Sequence, residues 1–289
     1  MYEVYGNVSD WSAALVAPGA SQYRVPVASV AGTEYRNLLV TPGPVARLVL
    51  NRPAKRNALS LELMDEMMVA LREVSGRADT RVIVVEGAGP AFSAGHDLSE
   101  MIGRDEAFLH HLFDVCTAMM EMLHELPQPV IAKVHGVATA AGCQLVAACD
   151  LAIAADGTRF ATPGVNIGLF CSTPMVPVSR AVGRKRAMQM LLTGEPIDAV
   201  TALNWGLINH VVPPEELEPA VLALAEAIVD SSAYTVATGK RAFYDQVDRQ
   251  ESDAYEHTKA VMTENALAHD AQEGMTAFLE KRPPVWRGE

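Results

Sequence analysis

What most constrains this chain is an alternation: from Asn37 to Ala154, short runs rich in β-branched residues trade places with helical stretches. Residues 37–41 and 45–50 read as strands, parted by the turn Pro42-Gly43-Pro44. Ser60 then caps a helix whose apolar stripe runs through Leu63, Met67, Ala70 and Leu71. Residues 81–85 read as a buried strand, and 106–126 as a long amphipathic helix that stops before Pro127 and Pro129. Residues 130–134 and 151–154 are further strands. Between them the small apolar stretch 141–148 suits a helix packed closely inside a core. Such alternation requires right-handed crossovers and a largely parallel sheet, so the fold class is α/β. From about Met175 the pattern becomes almost wholly helical, with segments at 175–182, 184–192, 198–204, 215–230, 233–247, 252–269 and near 270–280.

Charge narrows the partners. With 23 Lys and Arg against 35 Asp and Glu, the net charge of −12 makes the chain a poor match for nucleic acid or an anionic membrane. An anionic ligand would need a local basic cluster, and the loop 51–57 supplies one through Lys55 and Arg56. Four cysteines (Cys116, Cys143, Cys149 and Cys171) form no CxxC pair, which argues against a disulfide scaffold and against a zinc site. No run approaches the ~18 apolar residues of a membrane span. The first residues carry Glu3 and Asp10 and no basic leader, so the sequence alone places the chain in the cytoplasm.

Three segments are candidates for chemistry, each with a plainer alternative. In 91–98 (AFSAGHDL) the small residues around Gly95 let a ligand approach the backbone; a surface turn capped by Asp97 fits equally. In 135–144 (HGVATAAGCQ) a strand feeds a helix N-terminus whose free N–H groups suit a carbonyl gaining negative charge; tight helix–strand packing selects the same small residues. Residues 160–174 are polar and glycine-containing, a pocket wall or simply a loop. No GxSxG, complete GxGxxG, P-loop or HExxH occurs. His110 and His111 read as solvent-facing, and Cys143 and Cys171 as buried, inert thiols.

Together and in this order, behind Asn51-Arg52-Pro53 and Asn57-Ala58-Leu59, these segments resemble the crotonase superfamily, the enoyl-CoA hydratase/isomerase family. Residues 181–187, 192–197 and 202–208 extend the resemblance, which runs from about Asn37 to the last residues. It implies a spiral of ββα units with a helical C-terminal trimerisation region. The chain then divides into an irregular extension (1–33), an acyl-CoA-binding core (34–210) and a helical oligomerisation region (211–289), assembled as a homotrimer or a dimer of trimers. It implies an acyl-CoA thioester as ligand, with coenzyme A part of the substrate and no separate cofactor or metal. The thioester carbonyl would lie between the backbone N–H groups of His96 and Ala141. Lys55, Arg56, Ala58, Ala94, Asp97 and Leu98 would meet the CoA moiety. Phe278 and Lys281 of a neighbouring subunit would complete that site.

One departure bears on activity. Hydratases of the family carry two glutamates that activate water and protonate the α-carbon; Gln144 and Gly164 stand in those places here. Each general acid–base group contributes ~10²–10⁴ in rate. The acid that some members carry eight residues after the second glutamate is Ser172 here. The family label is therefore a hydratase of fatty acid metabolism, a lyase, while the residues predict weak or absent hydration. Two alternatives stand beside that label: a non-catalytic acyl-CoA-binding or regulatory protein, and a reaction that needs no base, such as decarboxylation.

Overall fold

The computed structural model describes residues 34–289, so the extension expected over 1–33 lies outside the described residues. Strands β1 (Leu38–Thr41) and β2 (Val45–Leu50) pair antiparallel, Leu38 opposite Leu50. From β2 onward the pairing is parallel through β3 (Val82–Gly87), β4 (Val130–Val134), β6 (Leu151–Ala155) and β9 (His210–Val212), in the order β1-β2-β3-β4-β6-β9. Strand β3 is buried on both faces, which is why it reads as a continuous apolar run. Alternate residues go to opposite layers. Ile83, Val85, Ala132 and Val134 pack with α1 (Leu61–Ser75), α2 (Glu106–Glu125) and α3 (Ala141–Ala148). Val82, Val84, Ile131 and Ile153 pack under Leu217, Val221 and Ala225 of α7 (Leu217–Val229).

The caps explain the helix starts. Ser60 accepts from the Leu63 N–H at 3.2 Å and Asp105 from the Phe108 N–H at 2.9 Å, each satisfying a donor that has no intrahelical partner. Between α3 and α7 lie α4 (Met175–Val182), α5 (Arg184–Thr193) and α6 (Ala199–Trp205). A second sheet was not legible in the sequence. It joins β5 (Val137–Thr139), β7 (Arg159–Ala161) and β8 (Ile197–Asp198), strands of two or three residues that are too short to show alternation.

On the α7 side, Arg47 of β2, Glu86 of β3 and Lys133 of β4 form a row across the sheet. Glu86 meets Arg47 at 3.0 Å and Lys133 at 2.7 Å, and Glu218 of α7 bridges the same two cations. Burial pushes the Glu218 carboxyl up, but the bonds from Arg47 and Lys133 outweigh it and hold it down at about 2. Of the C-terminal helices α8 (Ala233–Gln246), α9 (Glu251–Leu267) and α10 (His269–Glu280), the first is tied to the core by a buried ammonium. Lys240 donates to Leu123 O at 2.6 Å, Gln128 O at 2.8 Å and the Asp150 carboxylate at 2.7 Å, with its side chain 6 % exposed. Asp150 also accepts from the Val130 N–H and the Tyr244 hydroxyl. No single helix among the described residues is long and apolar enough to cross a membrane.

Two outcomes follow for stability. Lys240→Met strands three acceptors at once and lowers unfolding stability by about 2–4 kcal/mol, measured by denaturant unfolding. A carboxyl depressed in the folded state contributes stability above its unfolded pKa that is lost as pH falls through the folded one. Stability should therefore decline from pH 4.5 toward 2, with a shallower slope in Glu218→Gln.

Candidate functional site

The first wall begins with a fully buried asparagine. Asn57 Oδ1 accepts from the Arg52 N–H at 2.9 Å, while its Nδ2 donates to Ala88 O at 2.8 Å and Ala91 O at 2.7 Å. That single side chain knits the basic loop to the turn after β3. Ser93 Oγ adds a bond to Asn57 O at 2.9 Å. Leu59 then pairs with the next stretch: its N–H donates to Gly95 O at 2.7 Å and its carbonyl accepts from the Asp97 N–H at 3.1 Å. A parallel pairing of this kind uses the groups on either side of His96. The His96 N–H therefore points the other way, where no group of the described residues accepts it.

The second wall is the start of α3. Thr139 N–H donates to Ser93 O at 3.0 Å and Ala140 N–H to Ala161 O at 2.9 Å. Ala140 then adopts φ 50, ψ −119, a conformation that alanine rarely takes and that tertiary contacts must hold. The next N–H, that of Ala141, is the first of the helix and has no acceptor. The two walls touch through missing side chains. A Cβ on Gly95 would lie 2.8 Å from Ala140 Cβ and 3.1 Å from Ala141 N; one on Gly142 would lie 2.3 Å from Ser93 O. Both glycines are thus required by close approach, and at Gly95 also by φ +90.

His96 and Ala141 line a cavity of about 770 Å³. Ala58, Ala94, Asp97, Leu98, Met101 and Phe113 form one side of it, and the loop from Pro163 to Pro174 forms the other. Within that loop the Gly164 N–H donates to Cys171 Sγ at 3.4 Å. A Cβ on Gly164 would come within 2.9 Å of that sulfur and 3.0 Å of Leu169 O. The place a longer side chain would leave from is already filled. Burial pushes the Cys171 thiol up, with the Gly164 N–H opposing; burial pushes Cys143 up to about 12. Gln144, 3 % exposed, sits one turn beyond Ala141 on the same helix face, and its Oε1 has no partner.

The expected nucleotide-side residues separate into two groups. Ala58, Ala94, Asp97 and Leu98 reach the cavity. Asp97 is also structural: it accepts from Ser99 N at 3.2 Å and Ser99 Oγ at 2.6 Å and pairs with Arg52 at 2.8 Å, and these bonds hold its carboxyl below the usual range. Lys55 and Arg56 lie on an exposed turn beside the cavity without lining it, and make no ion pair among the described residues. Arg56 is tied to the first wall by its carbonyl, which accepts from the Ala94 N–H at 2.9 Å. Phe278, 82 % exposed on α10, and Lys281 at its end do not reach the cavity within one chain. Phe113 and Met101 had no signal in the sequence, because each is an ordinary apolar position until the fold brings it to this wall; Cys171 falls in the 160–174 segment read as a pocket wall or a loop. Among the described residues no group of three His, Cys, Asp or Glu could hold a metal ion.

A family model described as enoyl-CoA hydratase/isomerase matches residues 41–289. The zebrafish (Danio rerio) enoyl-CoA hydratase domain-containing protein 3, mitochondrial, is 47% identical over 245 residues, covering 84% of this chain and 85% of its own. The human (Homo sapiens) protein of the same name is 46% identical over 248 residues, covering 85% and 81%. A crystal structure of enoyl-CoA hydratase from Mycobacterium smegmatis superposes with a TM-score of 0.85 at 45% identity, covering 86% of this chain and 98% of that one. The chain belongs to the enoyl-CoA hydratase/isomerase family. The cytoplasmic placement is overturned by these names: both relatives are mitochondrial, which points away from the cytoplasm. A missing basic leader was the whole ground for that placement, and a missing pattern is no address.

Because Gly142 packs directly on Ser93 O, Gly142→Ala should destabilise the fold by about 1–3 kcal/mol and shift the His96 and Ala141 amide resonances in ¹⁵N–¹H spectra. Gly239, with open space around it in α8, is the control: Gly239→Ala should be neutral or stabilising by up to about 1 kcal/mol.

Proposed function

We propose that this chain binds an acyl-CoA thioester in the 770 Å³ cavity, with the thioester oxygen accepting from the His96 and Ala141 N–H groups. The observation that carries this reading is the pair of unpartnered N–H groups, held side by side by the contact of Gly95 with Ala140 and Ala141. Preorganised donors of this sort stabilise the charge that develops on an enolate-like oxygen, and removing one costs about 10²–10³ in rate in well-studied cases. The CoA phosphates lie at the exposed Lys55 and Arg56 turn, where the local charge is positive although the chain is acidic. The apolar exposure of Phe278 suits a role in a neighbouring subunit's site, with 211–289 as the assembly region of a trimer or a dimer of trimers.

Hydration is weak in this reading. Water addition needs one group to activate water and one to protonate the α-carbon. Gln144 cannot exchange protons near neutral pH, and Gly164 has no side chain. Supporting this, the Gly164 site is closed by Cys171 and Leu169, so a single restored glutamate has no ready place there.

The test is crotonyl-CoA hydration at high protein concentration, followed by loss of enoyl-thioester absorbance, beside calorimetric binding of butyryl-CoA. Saturable binding is expected, with hydration at least ~10³-fold below a two-glutamate enzyme. Gln144→Glu alone should raise hydration less than about tenfold, because the second carboxylate is still missing. Family-typical turnover by the wild-type chain would overturn the weak-hydration reading, and absent binding would overturn the whole.

A further inference from the structure

The pairing that aims the His96 N–H has a charged clamp across it. Arg52 does not line the cavity, yet its guanidinium spans both paired segments: Nη1 donates to Ala58 O, and Nη2 to the Asp97 carboxylate at 2.8 Å. Ala58 precedes Leu59 and Asp97 follows His96, so the two contacts bracket the bridge between Leu59 and His96. Both contacted residues line the cavity. Backbone bonds hold Arg52 in turn. Its N–H donates to Asn57 Oδ1 at 2.9 Å, and its carbonyl accepts from the Lys55 and Asn57 N–H groups, each at 2.9 Å. The turn so closed is a tight one, with Arg56 (φ 50) and Asn57 (φ 53) both in the left-handed region that side chains disfavour.

Asp97 sets a problem of charge that this clamp answers. It is a buried carboxylate in the wall of a cavity read as taking an anionic ligand. Bonds from Ser99 and Arg52 outweigh its burial and hold it below the usual carboxylate range, so it stays charged near neutral pH. It is also one residue from the His96 N–H, where a thioester oxygen would gain negative charge. Like charges in a shielded site repel far more than they do in water, so an unopposed carboxylate there would work against the ligand. The other acid of this turn, Glu100, is engaged by the Leu61 N–H at 2.9 Å. Lys55 and Arg56 stand on the exposed turn, and it is Arg52 that meets Asp97.

We propose that Arg52 is a positioning residue of this site: its guanidinium clamps Ala58 to Asp97 and cancels the Asp97 charge, so that the His96 N–H stays aimed and its surroundings tolerate an anionic thioester ligand. This rests on the acyl-CoA reading above and adds to it the residue that lets an acidic wall hold an acidic ligand. Arginine suits the task for a geometric reason. Its planar fork reaches two acceptors at once, one on each segment, whereas a lysine ammonium brings the charge on a single point. The clamp and the charge cancellation are separable, because substituting Asp97 removes the charge while Arg52 keeps its bond to Ala58 O.

The experiment is calorimetric binding of butyryl-CoA to the full chain and to three variants, with circular dichroism as the check of folding. Arg52→Gln leaves Asp97 unopposed and should weaken binding by about tenfold. Asp97→Asn leaves the guanidinium unopposed and should tighten binding by about threefold. The double variant, Arg52→Gln with Asp97→Asn, restores neutrality and should return to within about threefold of wild type, a recovery that mere loss of structure at Arg52 cannot give. Should Arg52→Gln fail to fold, Asp97→Asn still decides, since it keeps an acceptor oxygen for Arg52. Unchanged affinity in Arg52→Gln, weaker binding in Asp97→Asn, or no recovery in the double variant overturns this inference alone. Absence of butyryl-CoA binding by the wild-type chain overturns it together with the acyl-CoA reading.

Discussion

Everything at the candidate site depends on how closely two backbone segments approach. The stretch after β3 and the start of α3 come together only because Gly95 and Gly142 have no Cβ, and one added atom on Gly142 would sit 2.3 Å from Ser93 O. The approach is fixed from behind by Asn57, whose buried amide makes three bonds to the backbone of two loops. It is fixed from the side by Leu59, which pairs with the groups flanking His96 and so turns the His96 N–H outward. Ala140 holds a strained conformation at the same junction, one residue before the second free N–H. Two unsatisfied donors at the end of two tightly held segments form a preorganised arrangement that loose loops could not maintain.

The rest of the molecule serves that junction from a distance. The parallel sheet brings the ends of β3 and β4 to the same edge, so the loops that follow them meet in space. The row of Arg47, Glu86 and Lys133 under Glu218 pins α7 to the opposite face. Lys240 joins α8 to the end of α2 and to Asp150 at the start of β6, which links the C-terminal helices to the layer carrying Phe113. A buried ammonium with three acceptors specifies one docking geometry more sharply than apolar contact alone would.

Much of this was legible in the sequence, for definite reasons. The helices over Leu61–Ser75 and Glu106–Glu125 carry long apolar stripes and capping residues, and β3 opens on the apolar run Val82–Val85, whereas β9, three residues long, was not legible. The second sheet was not, since a strand such as Ile197–Asp198 is too short for any period to appear. At the site, the small residues around Gly95 and Gly142 stood out, as did Gln144 and Gly164. What no residue pattern reveals is a contact across the fold. Cys171 closes the space at Gly164, Phe113 leans on His96, and the His96 ring is left without a partner. The cytoplasmic placement failed for a related reason, because it was drawn from what the first residues lack.

Chemically, the candidate site offers two unpartnered N–H donors, those of His96 and Ala141, on one cavity whose wall includes Gly164. The central claim is that those donors hold a thioester oxygen. Isotope-edited infrared spectroscopy of butyryl-CoA labelled with ¹³C at the carbonyl carbon tests it directly. The account predicts that the carbonyl stretch of the bound ligand falls below its value in water, because two fixed N–H groups in a shielded cavity polarise the bond more than solvent does. A bound ligand whose carbonyl stretch stays at or above the aqueous value would contradict it.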